Sequence, residues 1–225
     1  GYKGGEMSAD APTLAELLRM QGYSTMAVGK WHNTYDRNTH AGGDRSSWPL
    51  QRGFDRFYGF LAAETSYFQP ERMMEGNQLA QIDTYPENYF STDDYTERLV
   101  SWLKEHHACS PLKPFFSWLA FQAPHTPLQA KSVDLEKYKD RYLAGWDEMR
   151  KTRFGRQRMM DIIETNAMET PRNPGVPEWN SLSTEQQALF AAYMACYAAL
   201  VDNVDQNVGK LIEFLKQSNQ LENTL

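Results

Sequence analysis

Two apolar runs of strand length, YSTMAVG (residues 23–29) and PFFSWLAFQ (114–122), each stop abruptly at a polar segment, and this pair constrains the fold more than any other feature. Runs so short and continuous suit strands buried on both faces, as in sheets covered by helices. Each follows an amphipathic stretch. TLAELLRMQG (13–22) carries a capping box in Thr13 and Glu16, apolar positions Leu14, Leu17 and Leu18, and a stop at Gly22. STDDYTERLVSWLKEHH (91–107) offers Ser91 or Thr92 as a cap, acids in its first turn, histidines in its last, and Tyr95, Leu99 and Leu103 four apart. A third, longer helix is predicted from Ser183, boxed by Gln186, to about Gln217. Leu189, Tyr193, Cys196, Leu200, Val204, Val208, Leu211 and Leu215 define its inward face. Helix, strand, helix, strand, helix is the rhythm of an α/β layer fold.

Between these elements the pattern weakens. RGFDRFYGF (52–60) reads as a turn feeding a short aromatic strand, its rings committed to packing. Residues 61–90 show no sustained period and, with Pro70, Gly76, Asn77 and Pro86, are expected to be a long irregular excursion. Residues 134–164 read as a helix interrupted at Gly145 and Gly155. Only two strands are convincing, where sheets of this type usually have about four or more, so the sheet is expected to be incomplete in this chain.

The 225 residues, 41% of them hydrophobic, suffice for one sizeable domain, residues 1–225. A net charge of -6 with dispersed lysines and arginines argues against nucleic acid as a partner. No apolar run reaches the roughly 20 residues that span a bilayer, and GYKGGEMSAD has no signal-peptide character. Neither a membrane segment nor a leader is expected. The two cysteines, Cys109 and Cys196, are too few for a disulfide framework and too far apart for a metal pair. They do not decide the compartment.

Open α/β sheets place ligands beyond the carboxyl ends of their strands. That edge receives Lys30 and His32 from MAVGKWHNTYD and His125 from APHTP. A lysine is a compact cation for an anion such as sulfate or phosphate, and histidine exchanges protons near neutrality. The trio therefore suits transfer of a small oxyanion. Taken alone, histidines at strand ends are more often held by backbone carbonyls than used in catalysis. His106 and His107 at a helix end, and the helical Asp202, Asn203, Asp205 and Asn207, are expected at the solvated surface. His40, Asp44 and Arg45 lie in the loop after Lys30 and could line an entrance.

In order, TLAELLRMQGYSTMAVGKWH, RGFDRFYGF, KPFFSWLAFQAPHTPLQA, KYKDRYLAGWDEMRKTRFGRQ and the stretch from LFAAYMACYAAL to NTL resemble the middle of a formylglycine-dependent bacterial arylsulfatase. G-K-W-H paired with a downstream A-P-H-x-P carries the resemblance. It implies an alkaline-phosphatase-like α/β fold, a parallel or mixed sheet flanked by helices, and hydrolysis of small-molecule sulfate esters. Lys30 would bind a sulfate oxygen and steady the nucleophile. His32 would contact the formylglycine hydroxyl and take a proton as sulfate leaves, and His125 would touch the sulfate and protonate the leaving oxygen. A phosphonate monoester or phosphodiester hydrolase of the same superfamily, or a non-catalytic sulfatase-like binding protein, is the alternative.

The cofactors so implied are Ca2+ and a formylglycine made from the cysteine of a C-x-P-x-R motif. Both the nucleophile and the metal ligands are expected outside this chain, leaving 1–225 as the central part of the catalytic domain and inactive alone. CSPLK at Cys109 imitates the motif but ends in Lys113 and sits in a connecting loop, so Cys109 is read as an inert thiol. Asn33 and Thr34 stand where many relatives have Leu-Gly, which bears on the loop beside the substrate. A bacterial cytoplasm or periplasm is the expected setting, and the oligomeric state is left open.

Overall fold

The computed structural model describes residues 5–225. It divides into two compact units, one comprising the chain up to Gln129 with Val201–Leu225, the other Ala130–Leu200. In the first, α1 (Leu14–Met20), β1 (Ser24–Lys30), β2 (Arg56–Phe60), β3 (Met74–Glu75), β4 (Gln78–Leu79), α2 (Ser91–Cys109) and β5 (Phe115–Ala120) follow in chain order. The second contains α3 (Ser132–Glu136) and α4 (Gly145–Met159), and α5 (Thr184–Gln217) runs on from it into the first. No helix among the described residues is long and apolar enough to cross a membrane.

The strands form one sheet in the order β4-β3-β2-β1-β5. β1 is parallel to both β2 and β5, whereas β3 and β4 add antiparallel edges. The expected excursion over 61–90 thus contains a hairpin turning at Gly76 and Asn77, too short to leave an alternating signature. Side chains alternate along β1. Met26 and Val28 pack with Tyr95, Leu99 and Leu103 of α2 and with Phe214 and Leu215 of α5. Ala27 packs on the opposite face with Ala15, Trp48, Phe54 and Phe57. The strand is therefore buried on both sides, as its continuous apolar run requires. β5 is less enclosed and leaves Trp118 36% exposed.

Three helical details differ from expectation. The Thr13–Glu16 capping box forms, and Arg52 joins Glu16 by an ion pair of 3.1 Å. Yet α1 buries Ala15, leaving Leu14 and Leu17 exposed. The cause is close approach: a Cβ on Gly53 would lie 2.3 Å from the Glu16 nitrogen, so the helix presses its backbone, not its leucines, toward the sheet. In α2 the cap position falls on Phe90, one residue before Ser91. Gly155 lies inside α4 and does not interrupt it, while Gly145 begins that helix.

α5 also departs from its apolar stripe. Ala191, Ala195, Ala198, Ala199 and Leu200 are buried, whereas Leu189, Tyr193 and Val208 are largely exposed. Asn203 and Asn207 are fully buried, contrary to their expected solvation. The Asn207 amide donates to Asp93 Oδ1 at 2.7 Å and to the Asn203 carbonyl at 2.8 Å, and Lys210 reaches the same carboxylate at 3.4 Å. The carboxylate sits in the first turn of α2, where the helix dipole favours it. His106 is likewise buried, not solvated: its Nε2 donates to the Lys113 carbonyl at 2.8 Å, anchoring the turn before β5.

Candidate active site

Lys30 ends β1 beside Phe60, the last residue of β2. Trp31, the next residue, turns into the core, 3% exposed, its indole donating to the Ser47 carbonyl at 2.8 Å and meeting Trp118 and Phe54 edge-on. That anchor leaves its neighbours half-buried at the rim. His32 adopts φ 47, a left-handed conformation uncommon outside glycine, while its backbone nitrogen still donates to the Leu61 carbonyl at 3.2 Å. Asn33 bonds back to the Trp31 carbonyl, and Thr34 is buried against Ser47. The Asn-Thr pair thus closes the loop internally. His40, Asp44 and Arg45 lie exposed in the same loop.

His125 follows β5 at the same edge. Its Nδ1 lies 2.8 Å from the Thr126 carbonyl, an acceptor only, so Nδ1 carries the proton and Nε2 is left for other partners. Glu64 lies beside it. One carboxylate oxygen accepts from the Thr126 hydroxyl at 2.8 Å and stands 3.5 Å from Nδ1. Beneath them the buried Gln122 exchanges hydrogen bonds with Thr65 at 2.7 and 3.1 Å. Gln129 accepts from the Tyr67 nitrogen at 2.9 Å, and the Tyr67 hydroxyl donates to the His125 carbonyl at the same distance. Two loops far apart in sequence are thereby fixed to each other.

The electrostatics link the three expected residues. Partial burial lowers the Lys30 pKa, opposed by the charge of Glu64. His32 is held below the ordinary imidazole value by burial first and by the Lys30 charge second; Asp36 acts in the opposite sense, and His125 adds a smaller depression. His32 is thus neutral near pH 7, able to accept a proton, beside a cationic lysine. Lys30 and His125 each act on His32, and Glu64, which acts on Lys30 and lies beside His125, is a fourth member that sequence reasoning missed. It is one of five acids in the aperiodic segment 61–90, with nothing in the sequence to single it out.

Cys109 is elsewhere. It is exposed at the end of α2 and shares a cleft with Ser24, at the start of β1, and with Arg56 and Glu105. The strand separates it from Lys30 by about 20 Å. Among the described residues no group of three or more His, Cys, Asp or Glu side chains could hold a metal ion. The residues present therefore do not fit a calcium site of their own.

A mixed sheet with helices on both faces agrees with the alkaline-phosphatase-like α/β fold expected from the sequence. A Bacteroides fragilis structure described as a sulfatase shares the fold, with a TM-score of 0.65, 21% identity, and coverage of 97% of this chain and 43% of that one. The sequence model of the Sulfatase family matches residues 4–225, and the chain belongs to that family. It is 32% identical over 223 residues to an arylsulfatase of Klebsiella aerogenes, covering 95% of this chain and 45% of that protein. It is 31% identical over 240 residues to an uncharacterized sulfatase of Schizosaccharomyces pombe, covering 100% of this chain and 41% of the relative. The chain thus spans less than half the length of these two relatives.

Proposed function

We propose that residues 1–225 form the central part of a sulfatase catalytic domain and supply one wall of a site that hydrolyses sulfate monoesters, of arylsulfatase type, to an alcohol or phenol and inorganic sulfate. The observation that carries this reading is that Lys30 and His32 leave β1, and His125 follows β5, at the same ends of two paired parallel strands, with Nε2 of His125 left open by its Nδ1 contact. Lys30 supplies positive charge where the sulfate oxygens gather negative charge. His32, neutral, takes a proton. His125 in its doubly protonated form, the Nδ1 proton held by the Thr126 carbonyl, donates the Nε2 proton to the departing oxygen, so the alcohol leaves uncharged and the ring is left neutral.

Family membership supports calcium and a formylglycine nucleophile in general terms, and the longer protein is their proposed source. Bound there, they would supply the nucleophile and charge neutralisation.

The test is sulfate release from a chromogenic aryl sulfate by the full-length protein. Turnover should fall by about 10²- to 10⁴-fold in His32→Ala and persist in Cys109→Ser. Undiminished turnover in His32→Ala would refute the assignment, and loss in Cys109→Ser would place the nucleophile in this chain.

A further inference from the structure

Glu64 belongs to a loop that is tied to both strands of the site. On one side of it the Leu61 carbonyl accepts from the His32 nitrogen at 3.2 Å, just past β1. On the other, Thr65 exchanges hydrogen bonds of 2.7 and 3.1 Å with the buried Gln122, just past β5. Both flanks of the carboxylate are therefore fixed by the groups that also carry His32 and His125.

Its contacts are with the His125 ring. The Thr126 hydroxyl gives its proton to a Glu64 carboxylate oxygen at 2.8 Å, which leaves a lone pair of that hydroxyl 3.2 Å from His125 Nδ1. The Thr126 carbonyl lies 2.8 Å from the same nitrogen, and the Glu64 carboxylate 3.5 Å from it. A bare lone pair on Nδ1 would meet oxygen on every one of these sides, so the proton stays there and Nε2 is the atom that gains and gives up the second one. When Nε2 is protonated, the ring is a cation with a carboxylate at its back. The two side chains are 49% and 53% exposed, and such a pair contributes little to the stability of the free protein. An ester seated over the ring excludes water, and the attraction strengthens as the local dielectric falls. The same carboxylate opposes the effect of burial on Lys30 and so favours its cationic form.

We infer that Glu64 is a positioning residue of the hydrolysis, which orients the His125 ring through the Thr126 hydroxyl and offsets the charges of His125 and Lys30 while the leaving oxygen is protonated. It acts through those side chains and not on the ester itself. The inference rests on the sulfate-ester reading of the same site.

The test measures kcat and KM of the full-length protein on 4-nitrophenyl sulfate and phenyl sulfate, with thermal unfolding alongside. In Glu64→Gln, kcat for phenyl sulfate, which has the poorer leaving group, should fall roughly 3- to 30-fold further than kcat for 4-nitrophenyl sulfate. KM should not rise, because the lost carboxylate repelled the sulfate, and the melting temperature should stay within about 2 °C of the parent. Thr126→Val, which keeps the carbonyl and removes the hydroxyl, should move the leaving-group ratio in the same direction, and Thr126→Ser should restore it. Equal slowing of both esters, or a loss of activity that tracks a lower melting temperature, overturns the inference and leaves the hydrolase reading standing. If the unaltered protein releases sulfate from neither ester, that reading fails on its own, and nitrogen NMR of the His125 ring decides the positioning. A neutral ring protonated at Nδ1 in the parent and mixed in tautomer in Glu64→Ala and Thr126→Val supports it, whereas one tautomer common to all three overturns it.

Discussion

Gly29→Ala probes the packing that brings the site together. Gly29 pairs with Gly59 on one side and Ala120 on the other, one residue before Lys30. Its φ is +103, and an added Cβ would lie 2.1 Å from the Ala120 carbonyl oxygen and 2.8 Å from its carbon. Both obstacles are backbone atoms of a neighbouring strand, so no rotamer change relieves them. The positive φ costs about 1–3 kcal/mol for an alanine, and the overlap about 1–3 kcal/mol more. The sum, about 2–6 kcal/mol, is a large share of the roughly 5–15 kcal/mol that holds a domain folded. Thermal unfolding should shift down by roughly 5–20 °C, and β1 and β5 should separate enough to pull Lys30 from His125. Gly155→Ala is the control. That residue is inside α4 with nothing within 4 Å of an added Cβ, so it should gain about 0.5–1 kcal/mol. A Gly29→Ala protein melting within about 2 °C of the parent would refute the close-approach argument.

Lys30→Met should raise the His32 pKa, because the Lys30 charge is the second cause of its depression; burial, the first, persists, so the ring stays below the ordinary value. Histidine NMR titration reads this directly. Because the folded pKa is the lower one, the unfolded chain binds that proton first, and stability declines as pH falls from the ordinary imidazole range to the lowered value of His32. Glu64→Gln should slow alkyl sulfates more than nitrophenyl sulfate, by roughly 3- to 30-fold for the poorer leaving group; equal slowing would reduce Glu64 to a structural prop. Asn207→Ala removes a 2.7 Å bond to the Asp93 carboxylate from a fully buried position and should cost about 1–3 kcal/mol by urea unfolding. Lys210→Ala, half-exposed, should cost no more than about 1 kcal/mol.

β1 was legible because burial on both faces leaves one mark, a short unbroken apolar run; β5 carries the same kind of run although it is less enclosed, at the edge of the described sheet. Lys30, His32 and His125 were legible because they follow those runs at once. Elsewhere tertiary contacts overrode the local pattern. Asn203 and Asn207 look solvated until Asp93, more than 100 residues distant in sequence, supplies their partner. Leu14 and Leu17 mark an inward face that α1 does not use, because Gly53 lets the helix approach by its backbone. β3 and β4, two residues each, are too short for any periodicity. Glu64 was hidden for a related reason: its role comes from Thr126 and His125, and nothing in the flanking sequence foretells that contact.

The most direct test of the central claim is a crystal structure of the full-length protein with sulfate bound. The account predicts one tetrahedral anion with oxygens within about 3.2 Å of Lys30 Nζ and His125 Nε2, and His32 at the same cleft. An anion bound away from these side chains, or the three turned into separate clefts, would contradict it.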